Sequence, residues 1–136
     1  NYRNRVSGPL LDRFDLQIEV PRLSYSELKE ARDYESSSIV RERVIRNRQK
    51  QWQRFGNSRT NAEMTSRETK EICVLDSSSE ALLKKVFDQN FYSARAYDRI
   101  LRVARTIADM ADSEQIKIEH LAESLQYRAL DRELKL

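Results

Sequence analysis

The run Ser93–Met110, SARAYDRILRVARTIADM, limits what this chain folds into more than any other stretch. Its apolar residues Tyr97, Ile100, Leu101, Ala104, Ile107 and Ala108, with Ala111 just beyond, recur at steps of three and four and form one stripe of an α-helix. A helix with a single apolar stripe must bury it, so the rest of the chain has to supply packing partners. Ser93 stands where an N-cap belongs, its hydroxyl placed to accept an orphan amide of the first turn. Arg95 falls in that first turn, where a cation opposes the helix dipole rather than complementing it. A cation so placed suggests an anion close by.

Two glycines and two prolines in 136 residues are too few for the turns of an all-β or Rossmann-type domain. The expected fold class is therefore all-α, a helical bundle, with enough chain for one real core. The formal charge of +3 is mild but uneven: residues 1–60 carry 13 Lys or Arg against 8 Asp or Glu, residues 61–136 carry 12 against 14. The basic half invites a search for an anionic partner. A lone cysteine, Cys73, and a lone histidine, His120, exclude an internal disulfide and a Cys/His metal set. That fits a reducing, cytoplasmic setting. No apolar run approaches a membrane span. The sequence opens on Asn1 and reads as a piece of something longer.

Taken in order, residues 1–34 are a basic, turn-rich start, an LLDRF run, and Asp15–Val20. The latter alternates Leu16, Ile18 and Val20 with polar residues and predicts a half-buried strand, ended by Pro21. A single strand cannot stand alone, so its sheet partners are expected outside this sequence. A short helix is expected near Tyr25–Ala31, capped by Ser24. Ser36–Ser38 then caps a long helix over Ile39–Phe55, whose apolar positions are Val40, Val44, Ile45, Trp52 and Phe55. Gly56 ends it. Met64 is expected as an anchor, Ser66 as the cap of a short helix through Val74, and Ser79–Asn90 as a further helix. Asn90, Phe91 and Tyr92 mark a tight corner into the central run, Asp112-Ser113 breaks it, and Ile118–Arg128 is a last amphipathic helix. Residues 35–130 make one helical domain and 131–136 a charged tail.

Catalysis within this chain is not expected. A nucleophile needs a base beside it, and two scattered glycines build no phosphate-cradling loop. His120 reads as a helix-surface or half-buried residue and Cys73 as a small core residue. Arginine remains, with a permanent charge and a planar fork of donors suited to phosphate. Two stand in unusual settings, Arg13 before a strand and Arg95 at a helix start. By position alone, half of a surface salt bridge is the plainer reading of either one.

A resemblance changes that balance. Ser7-Gly-Pro-Leu-Leu-Asp-Arg-Phe-Asp15, followed by Glu19-Val-Pro21, resembles the segment after the sensor 1 strand in magnesium-chelatase-type AAA+ ATPases. SARAYDRILRVARTIAD and His120–Arg128, HLAESLQYR, are similar to the competence-protein-M-like bacterial branch of that family. The resemblance implies that residues 1–34 end an α/β core, an extended segment left over from it, and that the helices form the AAA+ C-terminal lid. It implies that Arg13 is the arginine finger reaching the γ-phosphate held by a neighbouring subunit, with Asp12 steadying it. It implies that Arg95 is the sensor 2 arginine of the lid. ATP and Mg would then belong to the full-length protein, bound by motifs upstream, with none expected on this stretch alone. The partners implied are the upstream core, neighbouring subunits of a homo-oligomeric ring, and DNA.

The helix around Arg41–Arg59 holds seven Lys or Arg and one Glu. Arg41, Arg43, Arg46, Lys50 and Arg54 are therefore candidates for a nucleic-acid phosphate, against the plainer reading of a solvated face with Arg48 paired internally. Two other functions stay open: the motor subunit of a magnesium chelatase that drives metal insertion into a porphyrin, and a free-standing helical module binding DNA or protein.

Overall fold

A computed structural model describes residues 10, 13–29, 34–90 and 92–128. Asp12, Phe91 and the tail from 131 lie outside them. The described elements are helices: α1 (Tyr25–Lys29), α2 (Ser37–Phe55), a one-turn 3-10 helix (Asn61–Glu63), α3 (Ser66–Ile72), α4 (Ser77–Asn90), α5 (Ala94–Met110) and α6 (Ile118–Gln126). α5 is the axis of the bundle, with α2, the 3-10 turn, α3 and α6 packed around it and α4 against α6. A single parallel bridge, Leu75 to Ile116, ties the loops that lead into α4 and α6.

The stripe read from the sequence is the stripe that is buried. Ile100, Leu101, Ala104 and Ala108 are each at most 1% exposed and meet Met64, Cys73, Leu83, Val86, Leu121 and Leu125 in one core, with Tyr97 half-buried against it. Full burial of a side chain such as Ile100 or Leu101 contributes roughly 1.5–3 kcal/mol. Ala111 caps the end of α5 and is exposed. Ser93 caps its start, accepting from the amide of Ala96 at 3.1 Å. Phe87 packs on Tyr92 and edge-on against Tyr97, filling the α4–α5 corner. Asp112, at φ 55°, turns the chain out of α5; aspartate tolerates that left-handed conformation better than most residues.

Three local expectations need correcting. First, Asp15–Val20 forms no strand; among the described residues no ladder exists for it to join. Leu16, Ile18 and Val20 are 50%, 66% and 83% exposed while Gln17 between them is partly buried, so the apolar face is not the buried one. Second, α3 is capped by Thr65 rather than Ser66. Thr65 Oγ1 accepts from Glu68 N at 3.2 Å, and Glu68 Oε2 accepts from Thr65 N at 2.8 Å, a reciprocal capping box.

Third, α2 is turned over. Its sequence stripe faces outward, with Val44 at 47%, Ile45 at 46% and Trp52 at 39% exposure, while Asn47 and Gln51 are buried. Only Phe55 joins the core, from its edge. The reason is the surface that α2 meets. α5 presents the Asp109 carboxylate there, which Arg54 of α2 pairs with, and buried Gln51 accepts from the amide of Asn61; apolar side chains at those positions would leave both groups buried and unpaired.

Arg59 forks onto Glu68 with bonds of 3.0 and 2.9 Å. That pair first, and then the Thr65 amide and hydroxyl, hold the Glu68 carboxyl at about 2, well below its ordinary 4.5. A depressed carboxylate stabilises the fold above its unfolded value, and the contribution is lost as pH falls from about 4.5 towards 2. Urea unfolding at pH 6 and pH 3 is expected to show less acid destabilisation in Glu68→Gln than in the parent; equal acid sensitivity would contradict the assignment.

Candidate functional site

The two singled-out arginines stand on the first turn of α5 and on a segment whose next residues contact α5. Arg95 occupies the first turn of α5 and is exposed, and no acidic residue shares that turn. Arg13 is exposed in a turn closed by its amide on the carbonyl of Leu10, 3.0 Å away. Among the described residues neither guanidinium meets a carboxylate. An ion pair relates them: Arg99, one helical turn after Arg95 on the same face of α5, holds Asp15, two residues after Arg13, at 3.5 Å. Two further contacts hold the same segment. Gln17 N donates to Tyr127 O at 2.8 Å, and Arg128 Nη1 donates to Phe14 O at 2.9 Å. Arg13 therefore emerges from a segment fastened to α5 and to the end of α6.

The basic residues of α2 divide differently. Arg54 and Lys50 face inward. Arg54 pairs with both oxygens of Asp109 and donates to Asn61 Oδ1 at 2.7 Å. Lys50 reaches the Asp109 carbonyl and the Asp112 carboxylate. Arg43 forks onto Glu35 with bonds of 2.7 and 2.9 Å. Arg46 lies near enough to Asp112 to help hold its carboxyl low, an effect led by the Lys50 hydrogen bond. Arg41 and Arg48 are exposed beside Val44, Ile45 and Trp52 along a shallow groove. The internal pairs expected of Arg48 belong instead to Lys50 and Arg54.

Asp109 is the centre of this inward face. Besides Arg54, its Oδ2 accepts from Asn61 Nδ2 at 2.8 Å and its Oδ1 from Arg105 Nε at 3.1 Å. Arg105 spends its remaining donors on the carbonyls of Glu114 and Ser113. Burial pushes the Asp109 carboxyl up, but the hydrogen bonds of Arg54 and Asn61 and the charge of Arg105 outweigh it and hold it below the usual range. The network joins α2, the 3-10 turn, α5 and the loop after it.

Asp109, Arg105, Arg99 and Arg128 were not among the sequence candidates. A sign of the first two was available, since Arg105 and Asp109 stand four apart on the buried side of the α5 stripe. Arg99 and Arg128 gave no such sign, because their partners lie far away in sequence. His120 is buried, and its Nδ1 accepts from Lys117 N at 3.1 Å, which makes it part of the α6 cap. Burial pushes the Cys73 thiol up to about 11, the setting of an unreactive core thiol. Among the described residues no cluster of His, Cys, Asp or Glu is arranged to hold a metal, and no helix is long and apolar enough to cross a membrane.

Comparison with known proteins bears on this arrangement as a whole. Residues 34–128 match the family described as Magnesium chelatase, subunit ChlI C-terminal, and residues 1–28 match Magnesium chelatase, subunit ChlI. The chain is 46% identical over 98% of its length to Competence protein ComM of Haemophilus influenzae, covering 26% of that protein. It is 42% identical over 96% of its length to Uncharacterized protein YifB of Salmonella typhimurium, again covering 26%. It is 36% identical over 93% of its length to Uncharacterized protein Mb2921c of Mycobacterium bovis, covering 25%. The chain thus spans about a quarter of the length of these curated relatives. A helical bundle matched from residue 34 to residue 128, with relatives at 42–46% identity across nearly the whole sequence, places the chain in the magnesium-chelatase-like ChlI family, on the branch of the ComM and YifB proteins.

Proposed function

We propose that this chain supplies two phosphate-facing guanidinium groups, Arg13 and Arg95, to an AAA+ ring ATPase that processes DNA. The observation that carries the reading is the Asp15–Arg99 pair, which sets the Arg13 segment one helical turn from Arg95. Both groups are exposed, permanently charged and planar in their donors, which fits phosphate oxygens. ATP is the substrate, and its γ-phosphoryl group gathers negative charge as it is transferred. Arg13, acting on the nucleotide of a neighbouring subunit, stabilises that charge as an arginine finger does. Arg95, at the mouth of α5, takes the sensor 2 role and moves the lid with the state of the phosphate. The carboxylates that hold Mg belong to the upstream region in this reading.

DNA is the substrate class implied by the resemblance to the competence branch. On α2, Lys50, Arg54 and Arg43 are engaged within the chain, so a nucleic-acid phosphate there would be met by Arg41, Arg46 and Arg48. The family description itself favours a second reading, a chelatase motor driving metal insertion into a porphyrin; the identity to the ComM and YifB proteins supports the first. The test is Arg95→Ala in the full-length ATPase. Turnover is expected to fall by about 10²-fold, the usual effect of losing one positioned donor, with the melting midpoint of the lid unchanged. Unaltered steady-state hydrolysis would overturn the role of Arg95.

A further inference from the structure

We propose that Arg128 is a positioning residue that fastens the Arg13 segment to the helical lid, so that Arg13 and Arg95 move as one body. The inference rests on the reading of Arg13 as a phosphate-facing group. Arg128 is 1% exposed and is the largest fully buried side chain among the described residues. Burying a guanidinium is costly unless its donors are used. One of them is spent on the backbone of a segment 114 residues away, the carbonyl of Phe14 at 2.9 Å. The carbonyl of the preceding residue, Tyr127, accepts from Gln17 N at 2.8 Å. Between those two backbone bonds, Asp15 meets Arg99 of α5.

Three contacts, one from α5 and two from the turn that ends α6, thus grip residues 14 to 17, directly after Arg13. Their chemistry is position-fixing: two are made to backbone atoms, so they hold the path of the chain whatever its side chains. Leu16 and Ile18 remain half or more exposed, so apolar burial does not hold the segment. A rotation of the lid therefore carries Arg13 with it. The finger offered to a neighbour reports the same lid position that Arg95 sets.

The test compares Arg128→Met, Arg128→Lys and Arg13→Ala. In this chain, hydrogen exchange at the Gln17 amide is expected to accelerate about tenfold or more in Arg128→Met. Lysine still offers a donor to the Phe14 carbonyl, so Arg128→Lys should recover much of the protection. In the full-length protein, Arg128→Met is expected to lower kcat, taken per folded molecule from a melt of the same sample, by about tenfold or more with KM for ATP within about twofold; a loss that disappears once kcat is corrected for the folded fraction would overturn the positioning role. If Arg13→Ala abolishes hydrolysis while Arg128→Met leaves kcat and Gln17 exchange unchanged, the tether is wrong and the finger stands. If Arg13→Ala leaves hydrolysis intact, the finger reading fails and Gln17 exchange alone decides the tether. Should Arg128→Met fail to fold, Arg99→Gln loosens the same segment from the surface, and an unchanged kcat there would overturn the coupling.

Discussion

Asp109→Ala is expected to destabilise the chain by about 3–5 kcal/mol, the range for removing one partner of a buried charge network. Asp109 is 2% exposed and accepts from Arg54, Asn61 and Arg105. Its loss leaves Arg105, itself 3% exposed, with a buried charge and no carboxylate, and removes the Arg54 pair that joins α2 to α5. For a domain of this size the melting midpoint should drop by roughly 12 °C or more. The control is Asp112→Asn, which removes the charge while keeping a side chain that tolerates the left-handed backbone at φ 55°. Asp112 pairs with Lys50 on the same helix, α2, but its side chain is 72% exposed, and an exposed pair is worth about 1 kcal/mol or less. Denaturant melts of the two variants separate a buried network from a surface pair. A small effect at Asp109, similar to that at Asp112, would mean that α2 is held by something other than this network.

The second large effect is catalytic. On the proposed reading, Arg13→Ala in the full-length protein is expected to lower the kcat of ATP hydrolysis by about 10³-fold or more, since arginine fingers contribute roughly 10³–10⁵ to phosphoryl transfer. Stability should hardly move, because Arg13 is exposed and among the described residues its side chain meets no carboxylate. Arg13→Lys should restore only a small part of the rate, for an ammonium lacks the planar fork. The contrast with Asp109 is diagnostic: one substitution costs stability and leaves chemistry to be lost with the fold, the other costs chemistry with the fold intact.

What was legible in the sequence was whatever depends on local pattern. The α5 stripe, its Ser93 cap, the Gly56 stop at φ 68°, the Met64 anchor and the helix beginning at Ile118 all follow from periodicity and capping chemistry. What was not legible depends on partners distant in the chain. The stripe on α2 was real, yet the helix turned it to solvent because Asp109, more than 50 residues on, offers a buried carboxylate that only polar residues satisfy. The alternation of Asp15–Val20 was equally real, but a strand is a property of a pair, and none is present among the described residues. Arg13 and Arg95 were singled out by setting and by resemblance. The contacts that bind the Arg13 segment to α5 and α6 run between the two ends of the chain and left no local trace.

That arrangement also bears on the competing functions. A free-standing helical module has no use for an exposed arginine on a segment clamped across the bundle, and the match to the ChlI family over residues 34–128 speaks for a lid. A DNA processor and a metal-insertion motor share the same phosphate chemistry, so no substitution of Arg13 or Arg95 separates them. Salt-dependent DNA binding, and its loss with Arg41, Arg46 and Arg48, bears on that choice.

The most direct test of the central claim mixes two inactive proteins. One carries Arg13→Ala and keeps an intact nucleotide site; the other cannot bind ATP and keeps Arg13. If Arg13 serves the nucleotide of a neighbouring subunit, mixed rings contain interfaces where an intact site meets an intact finger, and hydrolysis returns on mixing. If mixing restores nothing although mixed rings form, Arg13 does not act across the interface, and its role as a finger in trans is wrong.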